Sequence, residues 1–326
     1  MTASGGPTVH PYLEYGGLTS VPGPFRCRDA KIVLMPLEAD PGALDHLCSS
    51  VLSAAAGAPR FERVGRFVLL TFGSMAVRSE SPRSSPLFAT RYCDMGESPE
   101  SHVAVWVPVL ARGNEGQRGS TDRYAVFIPV MWVDNPVSLV GGREIYGFAK
   151  QWGKPIISPD RRRCALDVFG GGFGAGRSSD MHRLVDIVPG GGAHPVAMAA
   201  MAVEQARQLA RDGLRRLADD EVDLPDGALL HAMASALVDH QFDQVAVRQF
   251  RMPAGDGADG CPPELMGITT RFHSVEHEFL GHGFDVTITD VDSHPLHAMF
   301  GIRTQTAPFG IEVTADFTLS AQKSAQ

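Results

Sequence analysis

Lysine is nearly missing from this chain: of its 29 basic residues only Lys31, Lys150, Lys154 and Lys323 are lysines. Arginine has taken over the general surface role, as a G- and C-rich coding sequence alone would also bring about. A retained lysine is then a candidate for work that arginine cannot do, such as attacking a carbonyl through a deprotonated amine. An excess of basic charge is lacking too. With 37 acidic residues the net charge is −8, which argues against nucleic acid, whose binding rests on Lys and Arg neutralising phosphates. The one dense basic run, Arg161-Arg162-Arg163, reads as a solvated turn. No Cys-x-x-Cys pair occurs among the five cysteines, which excludes a zinc ribbon and a thioredoxin-type redox site and leaves reduced, mostly buried thiols. No apolar run approaches the roughly 20 residues needed to span a bilayer. The first residues lack the basic and apolar regions of a secretory signal. A soluble cytoplasmic protein with no membrane partner is the expectation.

What is present is a core-forming composition, 44% apolar and 20% charged. Residues 1–24, rich in Gly, Pro and Ser, read as a loose leader. Strands are expected at Ile32 to Met35, Arg66 to Ser74, Val103 to Ala111, Tyr124 to Val133, Phe284 to Thr289 and Gly310 to Leu319, from their Val, Ile, Phe, Trp and Thr content and turn-like borders. Val103 to Val109 is apolar on both faces and suits a strand covered on both sides. Pro195 to Ala218 and Asp226 to Gln244 instead carry apolar residues at helical spacing and read as an inserted helical pair. One α+β domain over residues 25–320, with the insertion at about 195–244, is the economical layout.

Several motifs fail on context. Gly172-Phe173-Gly174-Ala175-Gly176 lacks the Gly-Lys-Ser/Thr of a phosphate loop and the helix behind a dinucleotide loop. His273-Ser274-Val275-Glu276-His277 has the spacing of an inverted zinc-protease motif, which needs a helix to bring both histidines to one face. Its Thr, Phe and Val neighbours read as strand and turn, so no metal is expected. No Gly-x-Ser-x-Gly elbow occurs.

The most specific stretch runs from Val133-Asp134-Asn135-Pro136 through Gly141-Gly142-Arg143-Glu144 to Phe148-Ala149-Lys150-Gln151 and Lys154-Pro155. It resembles the signature of the acetoacetate decarboxylase superfamily: a strand ending in Asp-Asn, a short apolar run, Gly-Arg-Glu, and a lysine a few residues on. Phe25-Arg26-Cys27-Arg28, Val107-Pro108-Val109 and the closing stretch Phe309 to Leu319 resemble further parts of that family. The resemblance implies a strongly curved, barrel-like antiparallel sheet with peripheral helices, to which the helical pair is an addition. It also implies a homo-oligomer and a cofactor-free lyase acting on a small keto acid.

By position the resemblance makes Lys150 the nucleophile, forming a Schiff base with the substrate ketone. The protonated imine accepts the electron pair left by a departing group. Met131 and Phe148 would line an apolar pocket, and desolvation disfavours the charged form of an amine. Arg28 matches an arginine near the substrate carboxylate, for which a guanidinium is suited. Arg143 and Glu144 read as scaffolding. Three departures stand out. Gln151 replaces a second lysine, a family glutamate falls on Val68, and another falls near Ser101 or His102. The acids that accompany decarboxylation are thus expected to be missing, with His102 available to move protons. That leaves three readings: a decarboxylase-like lyase, an aldolase, dehydratase or cyclase of secondary metabolism using the same lysine, and a non-catalytic binder.

Overall fold

Side chains alternate between two buried environments along most of the strands, and the architecture follows from where those two faces go. The computed structural model describes residues 20–55, 57–113, 122–170, 179–190, 241–252, 260–280 and 282–323. Among them, strands β1 (Phe25–Glu38), β3 (Phe67–Ser79), β4 (Ser98–Ala111), β5 (Arg123–Val133), β9 (Gln241–Arg248), β10 (Glu264–Leu280) and β13 (Gly310–Lys323) form a closed ring. The ring order is β5-β9-β10-β13-β1-β3-β4, and β4 returns to β5. Every junction is antiparallel except β5–β9, where Val126 and Phe127 pair in parallel with Gln244 and Val245.

A second sheet grows from the ring. β6 (Lys150–Ile157) pairs in parallel with the end of β5, and β7 (Cys164–Gly170), β8 (Asp180–Pro189), β11 (Phe284–Ile288) and β12 (Gln305–Ala307) continue it. The short β2 (Phe61–Arg63) pairs with the end of β4. Between this sheet and the outside of the barrel lies the larger apolar core. Met35, Leu70, Phe72, Val103, Val105 and Trp132 from the barrel meet Leu166, Leu184, Ile187 and Phe284 there. Helices α1 (Pro41–Ser50) and α3 (Leu296–Phe300) close its rim through Leu44, Leu47 and Phe300. The inside of the barrel holds a separate cluster, with Ala104, Val126, Ile128, Met131, Phe148, Ala246 and Ile268.

The expected curved barrel-like sheet is therefore present, and β4 is covered on both faces as anticipated. The strands are longer than expected at their starts: β1 begins at Phe25 and β4 at Ser98. Six strands, β2, β6, β7, β8, β9 and β12, lie outside the expected set, and β10 contains the 273–277 stretch that reads as strand and turn. Of the inserted helical pair, residues 195–240 lie outside the described residues. Its last four, 241–244, belong to β9, because Phe242, Gln244 and Ala246 alternate inward against β10. The end of the expected loose leader is packed. Ser20 donates to Glu144, Pro22 accepts from Ser79, and a side chain on Gly23 would collide with the Tyr146 hydroxyl. Arg161 to Arg163 do form the turn between β6 and β7. The glycine run 172–176 lies outside the described residues. No described helix is long and apolar enough to cross a membrane.

Candidate active site

The last turn of β5 builds the site. Asp134 accepts from the Ser101 amide at 2.7 Å and returns its own amide to the Ser101 carbonyl at 3.2 Å, tying the end of β5 to the start of β4. Asn135 then caps helix α2 (Pro136–Gly141): its side-chain oxygen accepts from the Ser138 amide at 3.0 Å, and Pro136 occupies the first helical position. The Asn135 side-chain nitrogen donates to the Pro99 carbonyl at 2.7 Å. One residue thus fixes both the helix that carries Ser138 and the strand that carries Glu100.

A π-helical turn, Gly142–Tyr146, follows and ends at Gly147 with φ +73, a left-handed conformation that glycine adopts without strain. The chain then doubles back so that Lys150 enters β6 opposite Met131. Gly142 is required for a different reason. A Cβ there would lie 2.6 Å from Lys150 Cδ and 2.8 Å from Cε, so the glycine is the channel through which the lysine side chain runs.

Lys150 is 7% exposed and ends inside a small polar group. Its Nζ donates to Glu100 Oε2 at 2.9 Å and to Ser138 Oγ at 2.6 Å, and the Ser138 hydroxyl donates to Glu100 in turn. Glu100 and His102 are 3% and 1% exposed and share the inward face of β4 with Ala104. Burial alone would raise the Glu100 carboxyl; the Lys150 charge and the Ser138 hydroxyl more than reverse this and hold it below its ordinary value. Burial depresses His102 to about 4, with Lys150 adding to the effect against the opposing pull of Glu100, so the ring is neutral near pH 7. Its Nδ1 stands 3.7 Å from Glu100, beyond hydrogen-bonding distance, and has no partner among the described residues. Cys27 also faces inward nearby; burial, reinforced by the Glu100 charge, pushes its thiol up and keeps it protonated. Farther along the inward face, Trp106 stacks on Phe242 with ring centroids 5.7 Å apart, and Gln244 donates to Thr270 at 2.8 Å.

The residues expected at the site separate into those brought together and those left outside. Met131 and Phe148 belong to the apolar cluster inside the barrel, with Phe148 stacked on Tyr146. Arg143 donates to the Lys150 carbonyl at 3.0 Å and so supports the lysine through its backbone. Glu144 accepts from Ser20, and its carbonyl accepts from Arg248. Gln151 alternates to the face of β6 opposite Lys150. Arg28 is not brought to Lys150: its side chain is 48% exposed and its guanidinium is held on Glu97 at 2.9 Å. The expectation that the pocket lacks its acid is overturned by Glu100. Val68 points into the core outside the barrel and is no guide to the site. Glu100 and Ser138 were both missed. The available signal was the spacing of Glu100, His102 and Ala104, which puts them on one face if β4 starts before Val103. The histidines of the 273–277 stretch lie on β10, an extended strand, and among the described residues no group of His, Cys, Asp and Glu side chains is arranged to hold a metal.

The family model described as acetoacetate decarboxylase (ADC) matches residues 38–175, the part that carries Glu100, Ser138 and Lys150. No curated protein sequence matches the chain. Among solved structures, the acetoacetate decarboxylase of Legionella pneumophila has 14% identity and a TM-score of 0.56, with 97% of this chain and 92% of that chain covered. At that identity the likeness shows the fold. Lower likenesses, both at a TM-score of 0.49, are to two other proteins. One is an acetoacetate decarboxylase-like enzyme from Sphingomonas wittichii RW1 (11% identity; 94% of each chain), the other the enduracididine biosynthesis enzyme MppR (15% identity; 93% of this chain, 89% of that one).

Proposed function

We propose that this chain is a member of the acetoacetate decarboxylase superfamily and a Schiff-base-forming lyase acting on a keto acid, with Lys150 as the nucleophile. The observation that carries this reading is the buried Lys150 amine hydrogen-bonded to the buried carboxylate of Glu100. An ion pair of this kind is expensive to bury, and stability alone gives little reason to keep it. As a reactive pair it has a use. Glu100 takes the proton that the amine must shed before it attacks a carbonyl, and the carboxylate then faces the positive iminium that results. That iminium draws electrons from the adjacent carbon, so a carboxylate, a proton or an aldehyde can depart from it. Met131, Phe148 and Ala104 keep the surroundings dry, which strengthens each of these electrostatic effects.

A second reading, aldol or dehydration chemistry on the same imine, is favoured by His102. A neutral imidazole with a free ring nitrogen, one inward position from Glu100, is suited to moving protons at the carbon next to the imine. Both readings share the first step. Intact mass measured after borohydride reduction with a panel of keto acids is expected to show a reduced adduct on the wild type and none on Lys150→Ala. Absence of an adduct with every acid in the panel would remove the catalytic reading. Analysis of released products, carbon dioxide or aldehyde, then divides decarboxylase from aldolase.

A further inference from the structure

Among the described residues, Ser138 is the one side chain other than Glu100 that is hydrogen-bonded to the Lys150 nitrogen. Its backbone is pinned by the Asn135 cap, and its hydroxyl accepts from Lys150 Nζ while donating to the same Glu100 oxygen that Lys150 contacts. A serine in the first turn of a six-residue helix ordinarily faces solvent or caps its own helix. Here it faces a buried ion pair. Resting on the imine-forming reading of Lys150, we infer that Ser138 is a catalytic residue that relays protons between the lysine nitrogen, Glu100 and the departing water.

The relay balances at each step. In the resting site Lys150 is the ammonium and Glu100 the carboxylate. One Nζ–H bond breaks as an O–H bond forms at Ser138 Oγ, while the former Oγ–H proton passes to Glu100 Oε2. This leaves a neutral amine, an unchanged serine and a carboxylic acid. The amine lone pair then bonds to the substrate carbonyl carbon, the C=O pair moves to oxygen, and the surplus proton on nitrogen is transferred to that oxygen, giving a neutral carbinolamine. Dehydration needs one more proton on the hydroxyl. Glu100 returns its proton through Ser138; the C–O bond breaks, water leaves, and the nitrogen lone pair completes the C=N bond of the iminium. Glu100 is a carboxylate again and no other reactant is consumed.

Geometry explains why Glu100 alone does not serve both ends. The carbinolamine oxygen is two bonds from Nζ, within hydrogen-bond reach of an Oγ that itself lies 2.6 Å from Nζ. Already at the carbinolamine the nitrogen keeps a single N–H, so Ser138 is released from the nitrogen, and its hydroxyl, resupplied with a proton by the Glu100 carboxylic acid, is free to serve the oxygen.

The test compares wild type, Ser138→Ala and Ser138→Thr in time-resolved borohydride trapping with pyruvate and with acetoacetate from pH 6 to 9. Ser138→Ala is expected to form the adduct about a hundred-fold more slowly near pH 7. The deficit narrows as the pH rises, because hydroxide then removes the proton, and Ser138→Thr, which keeps the hydroxyl, forms the adduct at close to the wild-type rate. A purely structural serine would give a loss that does not narrow with pH and tracks a fall in unfolding stability, and that result overturns the relay. Equal rates for wild type and Ser138→Ala overturn it as well, while the imine at Lys150 stands. If wild type traps neither compound nor any other keto acid of the panel, both readings fall together.

Discussion

Along β4, Val103, Val105, Val107 and Val109 point out of the barrel into the apolar core beneath the second sheet, whereas Glu100 and His102 point inward to Lys150. Both sets are almost fully buried, so exposure does not tell them apart; what differs is what burial does to each. Removing a valine side chain from water contributes about 1.5–3 kcal/mol at no electrostatic cost. Removing the Glu100–Lys150 pair costs several kcal/mol per ion, a cost that their attraction offsets only in part. The outward face holds the barrel closed, and the inward face, kept at the expense of stability, is the one that carries the proposed chemistry.

The largest test of that contrast is Glu100→Ala, which strands the Lys150 ammonium inside the barrel. A loss of about 3–5 kcal/mol in urea unfolding is expected. The double variant Lys150→Met/Glu100→Leu removes both charges and is expected to regain wild-type stability or exceed it by about 1–4 kcal/mol. A double variant as unstable as the single one would mean that the pair is a structural support, contrary to the division proposed between the two faces.

How much of this could be read in the sequence follows the same division. The Lys150 end was legible, because Asp134-Asn135, Gly142-Arg143-Glu144 and Lys150 sit within some twenty residues and their spacing is covalent. Glu100 was not, because it meets Lys150 only across strands and the apolar pattern of its own strand begins at Val103. Pro99 just before it looks like a strand breaker, yet β4 tolerates it opposite Ala76. Closure of the ring was equally hidden. It depends on Val126 and Phe127 meeting Gln244 and Val245 more than a hundred residues away, in a stretch whose apolar spacing reads as helix. The paired β6 and β7 were obscured by Gly153, Pro155 and the arginine turn, which read as loop although Gly153 fits closely over Trp132.

An intermediate effect sharpens the inward half of the comparison. His102 has an ordinary value of 6.5 when unfolded and about 4 when folded. Between those values the unfolded chain binds more protons, so the contribution is fully present above pH 6.5 and is lost as the pH falls toward 4. The shift corresponds to about 3 kcal/mol. Glu100, held below its ordinary value, adds a loss of the same sign at still lower pH. Urea midpoints for wild type and His102→Gln at pH 7, 5.5 and 4.5 are expected to converge on acidification, the variant lacking the imidazole's share of the decline. Parallel curves would show that His102 takes up its proton in the folded barrel at its ordinary value, so that burial does not depress it.

The smallest effect tests the outward half. Val105 is fully buried, between Leu70 and Val130 in the strand pairing, with Val103 and Val107 beside it on the same face. Val105→Ala removes two methyl groups and leaves a void that the neighbouring strands cannot close without breaking their register, so about 2 kcal/mol of stability should be lost. The backbone at Ala104 and the inward positions of Glu100 and His102 are set by hydrogen bonds along the ladder and by Asp134 and Asn135, none of which involves the Val105 side chain. Borohydride trapping at 25 °C is therefore expected to match the wild-type rate, with the loss appearing only in unfolding. A slower adduct in Val105→Ala would show that the core outside the barrel also sets the distance between Glu100 and Lys150, so that the two faces of β4 act as one unit and cannot be varied independently.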